Sequence, residues 1–94
     1  MVRRSTLVRV EPCAILKKLL LRILRGASDN SIGFQELCGL LTHLGFQEHI
    51  RGSHHVFSQS GVVELINLQR DGATAKPYQV KQVRNVIVKY KLEM

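Results

Sequence analysis

The spacing of apolar residues changes at Gly45, and this change constrains the fold more than any other feature of the sequence. Before it, apolar residues recur three and four positions apart, as one buried face of a helix requires. The first set is Leu16, Leu19, Leu20, Ile23 and Leu24, and the second is Phe34, Leu37, Cys38, Leu41 and Leu44. These sets predict two helices, the first beginning near Pro12 and stopping at Gly26, the second stopping at Gly45.

After Gly45 the sequence breaks into short segments with β-branched and aromatic residues, separated by two turn pairs. The segments are residues 46–50, 54–59 and 62–69, and the turns are Gly52-Ser53 and Ser60-Gly61. This pattern predicts a three-stranded antiparallel meander. A loop then opens at Asp71-Gly72, and Pro77 precedes a last amphipathic helix that ends at Tyr90. The predicted fold class is α+β, in the order α-α-β-β-β-α, with the helices packed on one face of the sheet.

The chain has 94 residues, enough for one small domain, and its net charge of +7 is unevenly distributed. Residues 1–30 contain seven basic and two acidic residues, whereas residues 31–94 contain seven and five. We therefore predict an N-terminal extension, residues 1–30, whose basic amphipathic helix packs on the domain or on a partner. Residues 31–94 form the principal domain. Basic charge favours a polyanionic partner such as nucleic acid, an anionic membrane or an acidic protein.

No segment approaches the roughly 18 uninterrupted apolar residues that a membrane span needs, because basic residues interrupt the most apolar stretch. A soluble cytoplasmic protein without a membrane partner is therefore expected. Cys13 and Cys38 lie at apolar helical positions without CxxC spacing. Both are expected to be buried, reduced thiols and not members of a disulfide or a zinc site.

Residues 51–57, with the sequence RGSHHVF, place two histidines next to each other at the start of a predicted strand. Neighbouring strand residues point to opposite faces, so His54 and His55 cannot converge on one substrate. Phe57 is expected in the core, and His55 shares its face. His54 is therefore the candidate for proton transfer on the open face, and His55 is expected to be packed or hydrogen-bonded in a supporting role.

Metal binding is not predicted from the spacing of the remaining ligand-type residues. His43 and His49 are isolated in sequence, and no cysteine or carboxylate stands at a familiar ligand spacing from residues 54 and 55. We therefore predict no metal and no cofactor.

With its motif in view, the sequence resembles the HicA family of toxins from bacterial toxin-antitoxin pairs. The resemblance covers roughly residues 34–90. It is carried by Leu44-Gly45-Phe46, by the RGSHHVF stretch, and by Lys81, Gln82, Val83 and Arg84. It implies a fold like the double-stranded-RNA-binding domain, an mRNA-cleaving endoribonuclease activity and a HicB-like antitoxin partner. The family's catalytic histidine lies in the stretch that matches residues 52–55. Alternation along the strand favours His54, and His55 is the alternative.

The resemblance also suggests how mRNA is held. Lys76, Lys81 and Arg84 are candidates for phosphate contact, and Gly52 and Ser53 form the turn that presents His54, with their amides as further phosphate candidates. The first helix and residues 68–72 and 75–78 differ from the family pattern.

Two other interpretations are open at this stage. One is a non-catalytic RNA-binding module of the same fold, because only one histidine per face is identified and a second proton carrier is missing. The other is an adaptor that forms a homodimer through the apolar stripe of the N-terminal helix.

Overall fold

The computed structural model describes the backbone of residues 2–94 and the side chains of residues 14–94. The helices are α1 (Val2–Arg25), α2 (Phe34–His43) and α3 (Pro77–Tyr90), with a single 3₁₀ turn at Asp29–Ser31. The strands are β1 (Gln47–Arg51), β2 (His54–Gln59), β3 (Val62–Leu68), β4 (Arg70–Asp71) and β5 (Thr74–Ala75). The predicted α+β class and element order are confirmed, with a short β4–β5 hairpin in addition.

The first helix is longer than the sequence pattern predicts, because α1 begins at Val2 and not near Pro12. Of the two cysteines, Cys38 is buried, as expected, and is a free thiol, whereas the side chain of Cys13 lies outside the described residues. Over the part of the chain that is described, no helix has the length and apolar character needed to cross a membrane.

The main sheet has the strand order β1-β2-β3, with both pairs antiparallel. Gly52 and Ser53 form a two-residue turn between β1 and β2, which sets Arg51 opposite His54. Gly52 has a φ of 60°, while Ser53 has no positive φ. A positive φ at only the first central residue is typical of a type II′ hairpin turn, where glycine is favoured.

One face of this sheet is covered by the helices. Phe57, Ile66 and Leu68 have no exposed surface. They share one hydrophobic core with residues of all three helices, among them Leu19, Ile23, Leu37, Leu41, Val80 and Val83. Because Leu19 and Ile23 belong to α1, the described part of the N-terminal segment packs on the domain. The opposite face of the sheet is open, with Val63 and Leu65 87% and 60% exposed.

The β4–β5 hairpin, which the sequence pattern does not predict, forms hydrogen bonds with residues 32–34 at the start of α2. Gly72 supplies its turn with a φ of 68°, and Ala75 is fully buried. The backbone N–H of Ala75 donates to the carbonyl of Ile32 at 2.9 Å, and that of Phe34 donates to the carbonyl of Ala73 at 3.0 Å. The hairpin thereby satisfies backbone groups at the start of α2 that would otherwise lack partners.

Candidate functional site

The two adjacent histidines lie on opposite faces of the sheet, as alternation along β2 predicts. Phe57 is fully buried, and His55 on the same face is half-buried. His54 is exposed on the open face. The predicted placement of both rings is therefore confirmed, while their roles in catalysis stay predictions.

The ring of His54 is held by a neighbour on β3. Its Nδ1 lies 3.2 Å from Oδ1 of Asn67. An amide oxygen only accepts hydrogen bonds, so Nδ1 must carry a proton and donate it. In the neutral ring the Nε2 atom then keeps its lone pair. Asn67 thus selects the tautomer in which Nε2 is the proton acceptor.

Arg51 and His49 share the open face with His54, a grouping that the spacing in sequence did not reveal. Arg51 pairs directly with His54, and His49 pairs with Val56 one step further along the same face. Directly opposed residues have Cβ atoms about 4.5–5.5 Å apart, and diagonal ones about 7–8 Å apart or somewhat less. The strand register therefore places two histidines and one guanidinium on one patch of the open face.

These neighbours are available for a ligand. Neither Arg51 nor His49 has a side-chain hydrogen bond or ion pair with any of residues 14–94, and both are exposed. The two-residue turn and the alternation along β1 could have identified them, since the register follows once the turn is fixed at Gly52-Ser53. We call His49, Arg51 and His54 the open-face cluster.

The turn between β1 and β2 is tied to the start of α3. Nε2 of Gln69 donates to Oγ of Ser53 at 3.0 Å. The backbone N–H of Gln69 donates to Oε1 of Gln79 at 3.1 Å, and Gln79 is only 3% exposed near the N-terminus of α3. These two links bring Gly52 and Ser53 to the same end of the domain as Lys76, which precedes the first residue of α3.

The three predicted phosphate-binding cations differ in their environment. Lys81 is exposed and has no side-chain partner among residues 14–94, and Lys76 is half-buried at the start of α3. Arg84 instead donates to both carboxylate oxygens of Asp29, at 2.9 and 3.1 Å, and to the carbonyl of Ile23 at 3.1 Å. Its hydrogen bond with Asp29 raises the pKa of the Arg84 guanidinium. Arg84 therefore joins α3 to the end of α1, and its contact with RNA stays an untested prediction.

His55 forms a separate cluster on the helix-covered side of the sheet. Its Nδ1 lies 2.6 Å from Oε2 of Glu48, and its ring meets the edge of Phe34 with centroids 4.9 Å apart. Sγ of Cys38 lies close to both side chains. One atom able to bind a metal from each of Cys38, Glu48 and His55 lies within 4.8 Å of the other two. This cluster joins α2 to the β1–β2 hairpin.

The chemistry of Cys38 excludes it as a nucleophile at neutral pH. Burial, and secondarily the charge of Glu48, raise the pKa of the Cys38 thiol to about 11, while Arg70 acts in the opposite direction. The thiol is therefore protonated near neutral pH, and a thiol is a far weaker nucleophile than a thiolate. Sequence spacing did not reveal this cluster because its three residues belong to three different elements.

Comparisons of the chain with protein-family models, with curated proteins and with solved structures find no match. The case for a function therefore rests on the motif residues and on the chemistry of the open-face cluster.

Proposed function

We propose that this protein is an endoribonuclease of the HicA toxin type, with a fold like the double-stranded-RNA-binding domain and with His54 as a proton carrier. The observation that carries the proposal is the open-face cluster, in which His54, Arg51 and His49 lie side by side on a surface that no other part of residues 14–94 covers. Two imidazoles and a cation are the groups that RNA cleavage by its own 2′-OH requires.

In the proposed reaction, Nε2 of His54 takes the proton from a ribose 2′-OH. The 2′-oxygen attacks the adjacent phosphorus, the bond from phosphorus to the 5′-oxygen breaks, and a protonated His49 gives a proton to that departing oxygen. The products are a 2′,3′-cyclic phosphate and a 5′-hydroxyl. Arg51 stabilises the negative charge that develops on the phosphoryl oxygens. No cofactor enters the proposed reaction, because the nucleophile belongs to the RNA.

The assignment of the two histidines follows from their neighbours and spacing. Asn67 holds His54 in the tautomer with an unprotonated Nε2, which suits a base. An in-line displacement puts the attacking and departing oxygens on opposite sides of phosphorus. Two proton carriers must then flank the phosphate, and a diagonal pair of strand residues about 7–8 Å apart leaves room for it. Arg51, directly opposite His54, lies within reach of the same phosphate.

Binding of the RNA backbone is assigned to charges around this patch. The chain has a net charge of +7, and the turn residues Gly52 and Ser53 lie at the same end of the domain as Lys76. Lys81, one turn further along α3, is exposed and unpaired among residues 14–94. We assign phosphate contacts to Lys76, Lys81 and the turn amides, with an affinity for mRNA that falls as salt concentration rises.

An acidic HicB-like antitoxin would inhibit this activity in the cytoplasm by covering the open-face cluster. Co-expression of the neighbouring gene's product should restore growth of a host arrested by the toxin. If a stable complex forms but growth stays arrested, covering of the site is the wrong explanation for inhibition.

The direct test is an RNA cleavage assay in EDTA across pH 5–9 with purified full-length chains. His54→Ala should lower the rate on the order of 10²–10⁴-fold, the usual contribution of a general acid or base. His49→Ala should remove one limb of the pH profile, and Arg51→Ala should slow cleavage. His43→Ala is the matched control, because His43 is an exposed histidine at the end of α2 that does not belong to the cluster.

A wild-type product with a 2′,3′-cyclic phosphate and a bell-shaped pH profile would support the proposal. Cleavage that survives in His54→Ala would contradict it. RNA that is bound with a salt-dependent affinity but stays intact would instead identify a non-catalytic RNA-binding module, for which the exposed Lys81 is the supporting observation.

A further inference from the structure

Three side chains with metal-binding atoms converge between α2 and the β1–β2 hairpin, on the side of the sheet opposite to His54. Cys38 comes from α2, Glu48 from β1 and His55 from β2, and their ligand-type atoms lie within 4.8 Å of one another. We propose that Cys38, Glu48 and His55 bind one divalent transition-metal ion, with Zn²⁺ preferred. This inference does not rest on the proposed ribonuclease activity, because it concerns the other histidine and the other face.

The spacing of the three ligands is close to that of a zinc site. With bond lengths of about 2.0–2.3 Å and tetrahedral angles, ligand atoms around zinc lie about 3.4–3.6 Å apart. Nδ1 of His55 and Oε2 of Glu48 are 2.6 Å apart and would have to separate slightly, while no two ligand atoms in the cluster are more than 4.8 Å apart. Side-chain movements of about an ångström would therefore complete three corners of a tetrahedron, and a water molecule would take the fourth.

The charges of the cluster also suit a divalent cation. Metal binding would release the proton of the Cys38 thiol, and the resulting thiolate and the carboxylate of Glu48 would together neutralise the ion, so the half-buried site would carry no net charge. Glu48 and His55 have side chains 30% and 20% exposed, which gives an ion a path from solvent. Before the ion binds, the His55–Glu48 hydrogen bond and the contact of the His55 ring with Phe34 hold these two side chains at the site. The ion would then replace the proton between Nδ1 of His55 and Oε2 of Glu48, and that proton would move to Nε2 or to solvent.

The mixture of ligands favours zinc over the common hard cations. Mg²⁺ and Ca²⁺ take oxygen ligands, whereas a thiolate and an imidazole select zinc and similar transition metals. The guanidinium of Arg70 lies over the Phe34 ring at 4.8 Å, on the side chain that also contacts His55.

The test is a titration of the metal-free full-length chain with Co²⁺, followed by displacement with Zn²⁺. We expect one ion per chain, a thiolate-to-cobalt charge-transfer band and the strong visible absorption of tetrahedral cobalt. The band should disappear in Cys38→Ala and persist in Cys13→Ser, which removes the other cysteine. His55→Ala and Glu48→Gln should each weaken binding at least tenfold, with His54→Ala as the matched control that binds as tightly as the wild type.

Glu48→Gln keeps the test valid if the more buried variants fail to fold, because Glu48 lies on an exposed edge strand. The absence of a charge-transfer band in the wild type, or a band that persists in Cys38→Ala, would overturn the proposal. Unchanged affinity in both His55→Ala and Glu48→Gln would overturn it as well. Its failure is distinguishable from failure of the proposed function, because His54→Ala tests cleavage and His55→Ala tests the metal.

Discussion

Replacing Arg84 by alanine should destabilise the fold. Because Asp29 and the carbonyl of Ile23 already accept hydrogen bonds from its guanidinium, we expect RNA binding by the folded protein to stay unchanged, in contrast to the sequence-based prediction of a phosphate contact. The guanidinium donates three hydrogen bonds, two of them to Asp29, and the two side chains are only 19% and 23% exposed. Hydrogen bonds to charged groups contribute about 1.5–3 kcal/mol when the partner is left unsatisfied. Since some solvent reaches this pair, we expect a loss of about 2 kcal/mol in the free energy of unfolding. In a domain of this size each kcal/mol shifts Tm by about 4–8 °C.

Urea denaturation of a double-mutant cycle isolates the interaction. Asp29→Ala should lose a comparable free energy of unfolding, and the double variant Asp29→Ala, Arg84→Ala should lose little more than either single variant. The coupling free energy should then be about 1–2 kcal/mol. Lys81→Ala is the matched control on the same helix, and because Lys81 is exposed its effect on stability should stay within about 0.5 kcal/mol.

The salt dependence of RNA binding is the second property in which Arg84→Ala and Lys81→Ala should differ. Below the melting temperature of every variant, Lys81→Ala should reduce the slope of log affinity against log salt by about 0.7 if it removes one contact with a single-stranded phosphate. Arg84→Ala should leave that slope unchanged. The reasoning is refuted if Arg84→Ala lowers the salt slope while its free energy of unfolding stays within about 0.5 kcal/mol of the wild type.

Three further predictions concern the fold. The hydrogen bond with Lys89 is the main reason that the pKa of Glu64 is lowered from 4.5 to about 2, so its stabilisation is present above pH 4.5 and is lost as the pH falls toward 2. The Tm difference between wild type and Glu64→Gln should therefore shrink over that interval. Gly52→Ala should cost about 1 kcal/mol in urea, because φ is 60° there, whereas Gly39→Ala within α2 should stabilise by about 0.5–1 kcal/mol. Phe57→Ala, at a fully buried position, should cost about 3–5 kcal/mol by the same assay.

Local sequence signals were sufficient for α2 and β2 but failed for the start of α1 and for the short strands β4 and β5. The helix α2 and the strand β2 lie within a residue of their predicted bounds, because a sustained apolar period and flanking glycines mark their ends. The hairpin of β4 and β5 has two residues per strand, which is too short for any period to be visible. Its stability comes from tertiary contacts with residues 32–34, which a local pattern does not contain.

In the candidate site too, features that depend on one strand were predictable from the sequence, and features that depend on tertiary packing were not. Alternation along one strand is a local property, so the separation of His54 from His55 was predictable. The neighbours of His54 on β1 required the hairpin register as well, which the two-residue turn determines. The approach of Cys38 to His55 depends on how α2 packs against the hairpin, and the pairing of Arg84 with Asp29 on how α3 packs against the end of α1. Neither packing arrangement leaves a signal in residue spacing.

Alternation along β2 and the burial of Phe57 decide which histidine meets solvent, and the turn at Gly52-Ser53 sets which β1 residues lie beside it. Along β2 the side chains alternate, and Phe57 must face the core because burial of its ring stabilises the domain by about 1.5–3 kcal/mol. A shift of one residue in the β1–β2 register would expose Phe57 and His55 together and bury His54, so the shift is strongly disfavoured. The hydrogen bond from Gln69 to Ser53 and the positive φ of Gly52 fix the turn at two residues. The burial of Phe57 thus keeps His54 on the open face and His55 beside the helices.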